Sequence, residues 1–109
     1  MPIPTRLTPT AMATLPLPNG RLSAQAFDTG AIELRYYAPR DTDAQVPHAR
    51  DELYFVISGH GTFVRGDTRV SFAPGDVLFA AAFEAHRFED FTPDFATWVL
   101  FYGEERTGA

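Results

Sequence analysis

A chain of 109 residues that is 45% hydrophobic, with ten Phe, four Tyr and one Trp, has the apolar area for one packed core and no room for a second, which excludes a disordered chain. The formal net charge is −5 and the nine basic residues, all Arg, are scattered, so no basic face for nucleic acid can be assembled. The absence of Cys excludes disulfides, thiolate metal sites and a cysteine nucleophile.

Five of the nine Pro fall in residues 1 to 20. Pro cannot donate to a sheet ladder and disrupts helices, so residues 1 to 26 are expected to form an extended arm that docks on the folded unit or on a partner subunit, with the folded domain over 27 to 109. The start has neither the basic leader nor the apolar stretch of a signal peptide, and no run approaches about 18 apolar residues. No membrane contact and a cytoplasmic location are expected.

From Phe27 onward short segments rich in β-branched and aromatic residues alternate with turn signals: 31 to 37, 52 to 58, 62 to 65, 68 to 72, 77 to 80, 85 to 90 and 95 to 102. Gly66-Asp67 predicts a two-residue hairpin between antiparallel neighbours, Pro74-Gly75 the centre of a type II turn, and Ser58-Gly59-His60-Gly61 another reversal. No segment carries a sustained helical period. The pattern is that of an all-β, antiparallel sandwich or barrel.

Each of the three His can be weighed separately. His60 lies between two Gly in a reversal and reads as a solvated turn residue. Three residues separate His48 from Glu52, and Glu52 opens a strand, where a carboxylate facing an apolar interior needs a cation. Strand alternation puts Glu52, Tyr54 and Val56 on one face, and His86 on one face with Phe88. Arg35 and Tyr37 share a face with Glu33, and Arg35 there would favour a carboxylate substrate; an exposed or dimer-facing strand is the alternative. Tyr54, Phe88, Arg35, Tyr37 and Trp98 are the expected pocket-lining residues, Tyr54 and Phe88 before the others. Glu89 and Asp90 point to opposite faces and cannot share one substrate proton.

Two stretches carry a family resemblance. Pro47-His48-Ala49-Arg50-Asp51-Glu52, followed by six residues and Gly59, resembles the first cupin motif, and Pro74-Gly75-Asp76-Val77-Leu78-Phe79 leading to His86 resembles the second. The resemblance covers about residues 31 to 102 and is that of a small single-domain bacterial cupin. It implies a jelly-roll β-barrel holding one divalent metal, Fe, Mn or Zn, on His48, Glu52 and His86. Val46 stands where a further His is usual, Gln45 offers its amide oxygen as a fourth donor, and Ala81 and Phe83 replace the usual Pro and Gly of the second motif.

The resemblance raises a metal-dependent dioxygenase or a related isomerase or lyase acting on a small organic molecule. The alternatives are a non-catalytic binding or sensing module, and a barrel that has lost its metal, in which the two His hydrogen-bond Glu52. The chain has no helix-turn-helix segment that would pass a signal to DNA. A homodimer is expected from the Pro-rich arm and the aromatic-rich surface.

Overall fold

The structure, a computed structural model, describes residues 3–17, 23–40, 42–43 and 47–106. One helical turn, α1 (Pro9–Ala13), precedes eight strands: β1 (Ser23–Asp28), β2 (Ile32–Tyr37), β3 (Asp51–Ser58), β4 (Gly61–Arg65), β5 (Thr68–Phe72), β6 (Val77–Ala80), β7 (His86–Glu89) and β8 (Ala96–Tyr102). All pairings are antiparallel, in a five-stranded sheet of order β1-β2-β8-β3-β6 and a three-stranded sheet of order β5-β4-β7.

Seven of these strands fall on the expected segments, and two elements do not. The arm expected to be extended contains α1, because Thr8 caps it by accepting from the Ala11 amide (3.2 Å) and Pro9 sits in the first turn, where a missing N–H costs nothing. Met12 is buried and α1 lies against β2. β1 crosses the expected boundary at residue 26, so the first strand begins within the segment assigned to the arm. Its Ser, Gln and Asp are poor strand formers, and the strand exists because β2 supplies a pairing edge and Arg35 supplies donors for Ser23 and Gln25.

The turn chemistry follows the sequence. Arg65 pairs with Thr68 across the two-residue loop, with Gly66 at φ +56°. The Asp76 amide donates to the Ala73 carbonyl (3.1 Å), closing the Pro74-Gly75 turn. Gly59, at φ +78°, lies where the chain leaves one sheet for the other, and a Cβ there would stand 2.5 Å from Phe95 Cα.

The inner faces meet over an aromatic core. Phe88 lies 4.8 Å from Phe95, 5.1 Å from Phe63 and 5.5 Å from Phe72, and edge-on to Tyr54 at 4.9 Å. Such pairs contribute about 0.5–1.5 kcal/mol each beyond the area they bury. The stack fixes both sheets under the end of the barrel where Glu52 and His86 project.

Candidate metal centre

Glu52 lies on β3 opposite Phe101 of β8 and Ala80 of β6, and His86 opens β7 in the other sheet. The two side chains therefore converge from facing sheets, and both are buried. His48 arrives from the segment before β3, its ring held edge-on to Phe101 at 5.0 Å. Glu52 Oε2 is 2.8 Å from His86 Nε2, and Glu52 Oε1 is 3.5 Å from His48 Nδ1. One ligand atom from each of the three residues lies within 4.8 Å of the others.

Two polar atoms here are buried without a hydrogen-bond partner, His48 Nδ1 and Glu52 Oε2. Oε2 nonetheless lies 2.8 Å from His86 Nε2, close enough to pair with that imidazole when it is protonated. Buried orphans of this kind are rare in folded proteins and call for an explanation such as an ion. Donors about 2.1 Å from a metal stand about 3 Å apart when adjacent, so a small inward turn of the half-exposed His48 would complete the set. The donor chemistry and the orphaned atoms fit a divalent cation.

The chain also orients the ligands. His86 Nδ1 lies 2.7 Å from the Glu84 carbonyl, which can only accept, so Nδ1 keeps its hydrogen and Nε2 is the position that titrates. The fully buried Tyr54 hydroxyl is 3.0 Å from His86 Nε2 and donates to Glu52 Oε1 at 3.1 Å, forming a short relay between the two. Burial works against the charged form of each partner, but in the protein alone the neighbours win. His48 and His86 hold the Glu52 carboxyl below its ordinary range, and Glu52 with the Glu84 carbonyl holds the His86 imidazole above its own.

Two supporting contacts join residues far apart in the sequence. The Phe83 amide donates to the His48 carbonyl at 2.7 Å, and Phe83 adopts φ +64°, a left-handed conformation costly for a bulky residue, at the position where the motif usually has Gly. Asp43 accepts from the Tyr37 hydroxyl with one oxygen and from the Phe88 amide at 2.8 Å with the other, joining the two sheets beside the site. Burial first, and then the Asp43 carboxylate, push the Tyr37 phenol far above its ordinary value.

The remaining expected residues separate. Tyr54 meets the ligands, and Phe88 sits in the aromatic core beneath them. Arg35 and Tyr37 are buried on the inner face of β2, where the Arg35 guanidinium is held by Glu33 (2.7 Å), Gln25, Ser23 Oγ and the Ser23 carbonyl. A substrate carboxylate would have to compete with those acceptors. Trp98 corrects the expected pocket lining: it stands on the outer face of the five-stranded sheet, edge-on to Tyr36 at 5.8 Å, because Thr97 and Val99 take the inward positions of β8. Gln45 and Val46 lie outside the described residues. His60 is exposed in its turn, and Glu89 faces outward to Arg69 and Arg87.

Residues 34–101 match the cupin domain family, and the chain belongs to it. Over 60 residues it is 40% identical to an uncharacterized protein of Streptomyces coelicolor, SCO3923, covering 55% of this chain and 57% of that one. Its fold is similar to that of an uncharacterized protein with a double-stranded β-helix domain from Klebsiella pneumoniae, with a TM-score of 0.73, 16% identity and coverage of 91% of this chain and 90% of that chain. A cupin 2 conserved barrel domain protein from Salinispora arenicola gives a TM-score of 0.68 and 19% identity, covering 92% and 90%. A chain from the structures of the DMSP lyases RdDddP and RnDddQII gives a TM-score of 0.60 and 25% identity, covering 74% of this chain and 43% of that one. The fold is thus the all-β cupin barrel, and no described helix is long and apolar enough to cross a membrane.

Proposed function

We propose that this chain is a metal-dependent cupin enzyme that holds one divalent ion on His48, Glu52 and His86 and acts on a small organic molecule. The observation that carries the reading is the convergence of His48 Nδ1, a Glu52 carboxylate oxygen and His86 Nε2 within 4.8 Å of one another, with His48 Nδ1 buried and without a hydrogen-bond partner. Two imidazoles and one carboxylate leave coordination positions open, a donor set that suits Fe(II) and also takes Mn or Zn. When bound, such an ion supplies Lewis acidity towards a substrate oxygen or a site for O2.

The chain's own groups set what can accompany that chemistry. The Glu84 carbonyl keeps the His86 ring oriented, and Tyr54 can hold or pass a proton between Glu52 and His86. A hydroxyl at that place supports a proton-transfer reaction, lyase or isomerase, ahead of dioxygenation, and the likeness to a chain from the DMSP lyase structures supports the same order. A second reading, binding without turnover, is favoured by the aromatic stack of Phe63, Phe72, Phe88 and Phe95, which occupies the barrel beneath the site.

Metal-loaded protein incubated with a panel of small organic acids, followed by mass spectrometry and an oxygen electrode, separates the readings. Metal-dependent product without O2 uptake is expected. O2 uptake in step with product would assign dioxygenation instead, and thermal stabilisation by a ligand with no product would leave only the binding reading.

A further inference from the structure

We infer, on the reading that His48, Glu52 and His86 are metal ligands, that Asp51 is a positioning residue for the site. By holding the turn over residues 81–84 it sets where those three ligands stand relative to one another. Each ligand is tied to that turn. The Phe83 amide donates to the His48 carbonyl (2.7 Å), and the Glu84 carbonyl lies 2.7 Å from His86 Nδ1. The Ala82 amide donates to Oδ1 of Asp51, the residue beside Glu52 (2.8 Å). Strand alternation turns the Asp51 side chain away from the face on which Glu52 points to the site, so Asp51 itself is no ligand.

The turn does not keep its shape by its own preferences. The Glu84 amide donates to the Ala81 carbonyl (3.0 Å) and Phe83 takes φ +64° at the second central position, the pattern of a type II turn, where Gly is favoured and a bulky aromatic is strained. Such strain persists where surrounding contacts over-determine the backbone. Those contacts come from two sides. Glu84 Oε1 accepts from the Ala81 amide at 3.0 Å, and its Oε2 lies 3.4 Å from Arg65 Nε. From β3, Asp51 accepts from the Ala82 amide with one oxygen and from Arg106 (2.7 Å) with the other, and its side chain is 14% exposed, so the carboxylate is fixed at both ends. A hydrogen bond to an ionised acceptor is roughly twice as strong as a neutral one. Without it the part-buried Ala82 amide loses its acceptor, and the turn is free to relax towards the backbone that Phe83 prefers. The Phe83 amide and the Glu84 carbonyl, and with them both imidazoles, then move.

Asp51→Ala and Ala82→Pro remove opposite partners of the same hydrogen bond. Pro suits the first central position of a type II turn, so the second variant keeps the turn and loses only the donor. Co2+ uptake, followed by visible absorption and by competition with a chelating dye, reads both ligand geometry and affinity. Each variant should bind Co2+ about 10–100-fold more weakly than wild type, with a changed absorption spectrum. The double variant should bind no more weakly than the weaker single one, because both changes break one contact. Arg106→Ala, which keeps the Ala82 contact, should bind as wild type does. Should Asp51→Ala fail to fold, Ala82→Pro decides. Wild-type affinity and spectrum in these variants, or a lowered melting point with Co2+ binding untouched, overturns the positioning role and leaves the ligand reading standing. A loss in Arg106→Ala equal to that in Asp51→Ala also overturns it, by assigning the effect to the ion pair. Wild-type protein that takes up no Co2+ overturns the ligand reading and the positioning role together.

Discussion

Replacing Glu52 by Gln keeps the shape of the side chain and removes its charge, which separates a ligand from a structural ion pair. In the metal-free protein the carboxylate touches His86, Tyr54 and His48 and is 1% exposed. Hydrogen bonds to a charged group contribute about 1.5–3 kcal/mol, whereas burying a carboxylate costs several kcal/mol. The Gln amide can donate to the lone pair of a neutral His86 Nε2. The opposing effects should leave the metal-free variant within about 2 kcal/mol of wild type. With metal at about 100 times its dissociation constant, wild type should gain about 2.7 kcal/mol, or roughly 11–22 °C in Tm at about 4–8 °C per kcal/mol for a domain near this size. Loss of a ligand should weaken binding at least about 100-fold, since outer contacts alone account for about 10–100-fold. The variant at the same metal concentration then gains only about 0.4 kcal/mol. Thermal unfolding with and without Mn2+ or Zn2+ at neutral pH measures both quantities. A metal-induced rise as large in Glu52→Gln as in wild type refutes the ligand assignment. A loss of more than about 3 kcal/mol in the metal-free variant would mark the carboxylate as one half of a structural pair.

Two further outcomes follow from the same geometry. The lowered Glu52 pKa contributes stability that is present above about pH 4.3 and is lost as pH falls through its folded value, and the raised His86 pKa contributes stability present below about pH 6.5 and lost as pH rises through its folded value. Metal-free protein should therefore be most stable in urea between those limits, and Glu52→Gln should flatten the profile; an unchanged profile in the variant contradicts the pairing. Gly59→Ala places a Cβ 2.5 Å from Phe95 Cα at φ +78°, so left-handed strain of about 1–2 kcal/mol adds to overpacking of about 1–3 kcal/mol. Denaturant unfolding should show a loss of at least about 2 kcal/mol, and a loss below about 1 kcal/mol would mean that the crossing between sheets can give way.

The sequence made the barrel legible where local chemistry and tertiary packing agree. Aromatic and β-branched runs at 52 to 58 and 95 to 102 became β3 and β8, and Gly66-Asp67 and Pro74-Gly75 turn as their residue types require. β1 was hidden because its strand character comes from β2 and from Arg35, not from its own residues. α1 was hidden because one turn capped by Thr8 is too short to show a period. At the site, alternation along β3 and β7 identified which side chains face inward, but not what they meet there. The Tyr54 relay, the Glu84 carbonyl on His86 and the Asp43 bridge each join residues from different elements. Trp98 shows the limit most plainly. An aromatic reads alike on either face of a strand until Thr97 and Val99 settle the direction of β8.

The central claim is that His48, Glu52 and His86 hold a metal ion, and it is tested most directly by elemental analysis of untagged protein together with anomalous diffraction from its crystals. One ion per chain, ligated by two His nitrogens and a Glu52 oxygen, is the expected result. Protein that stays metal-free after loading with Fe(II), Mn2+ and Zn2+, or an ion bound away from these three residues, would contradict it.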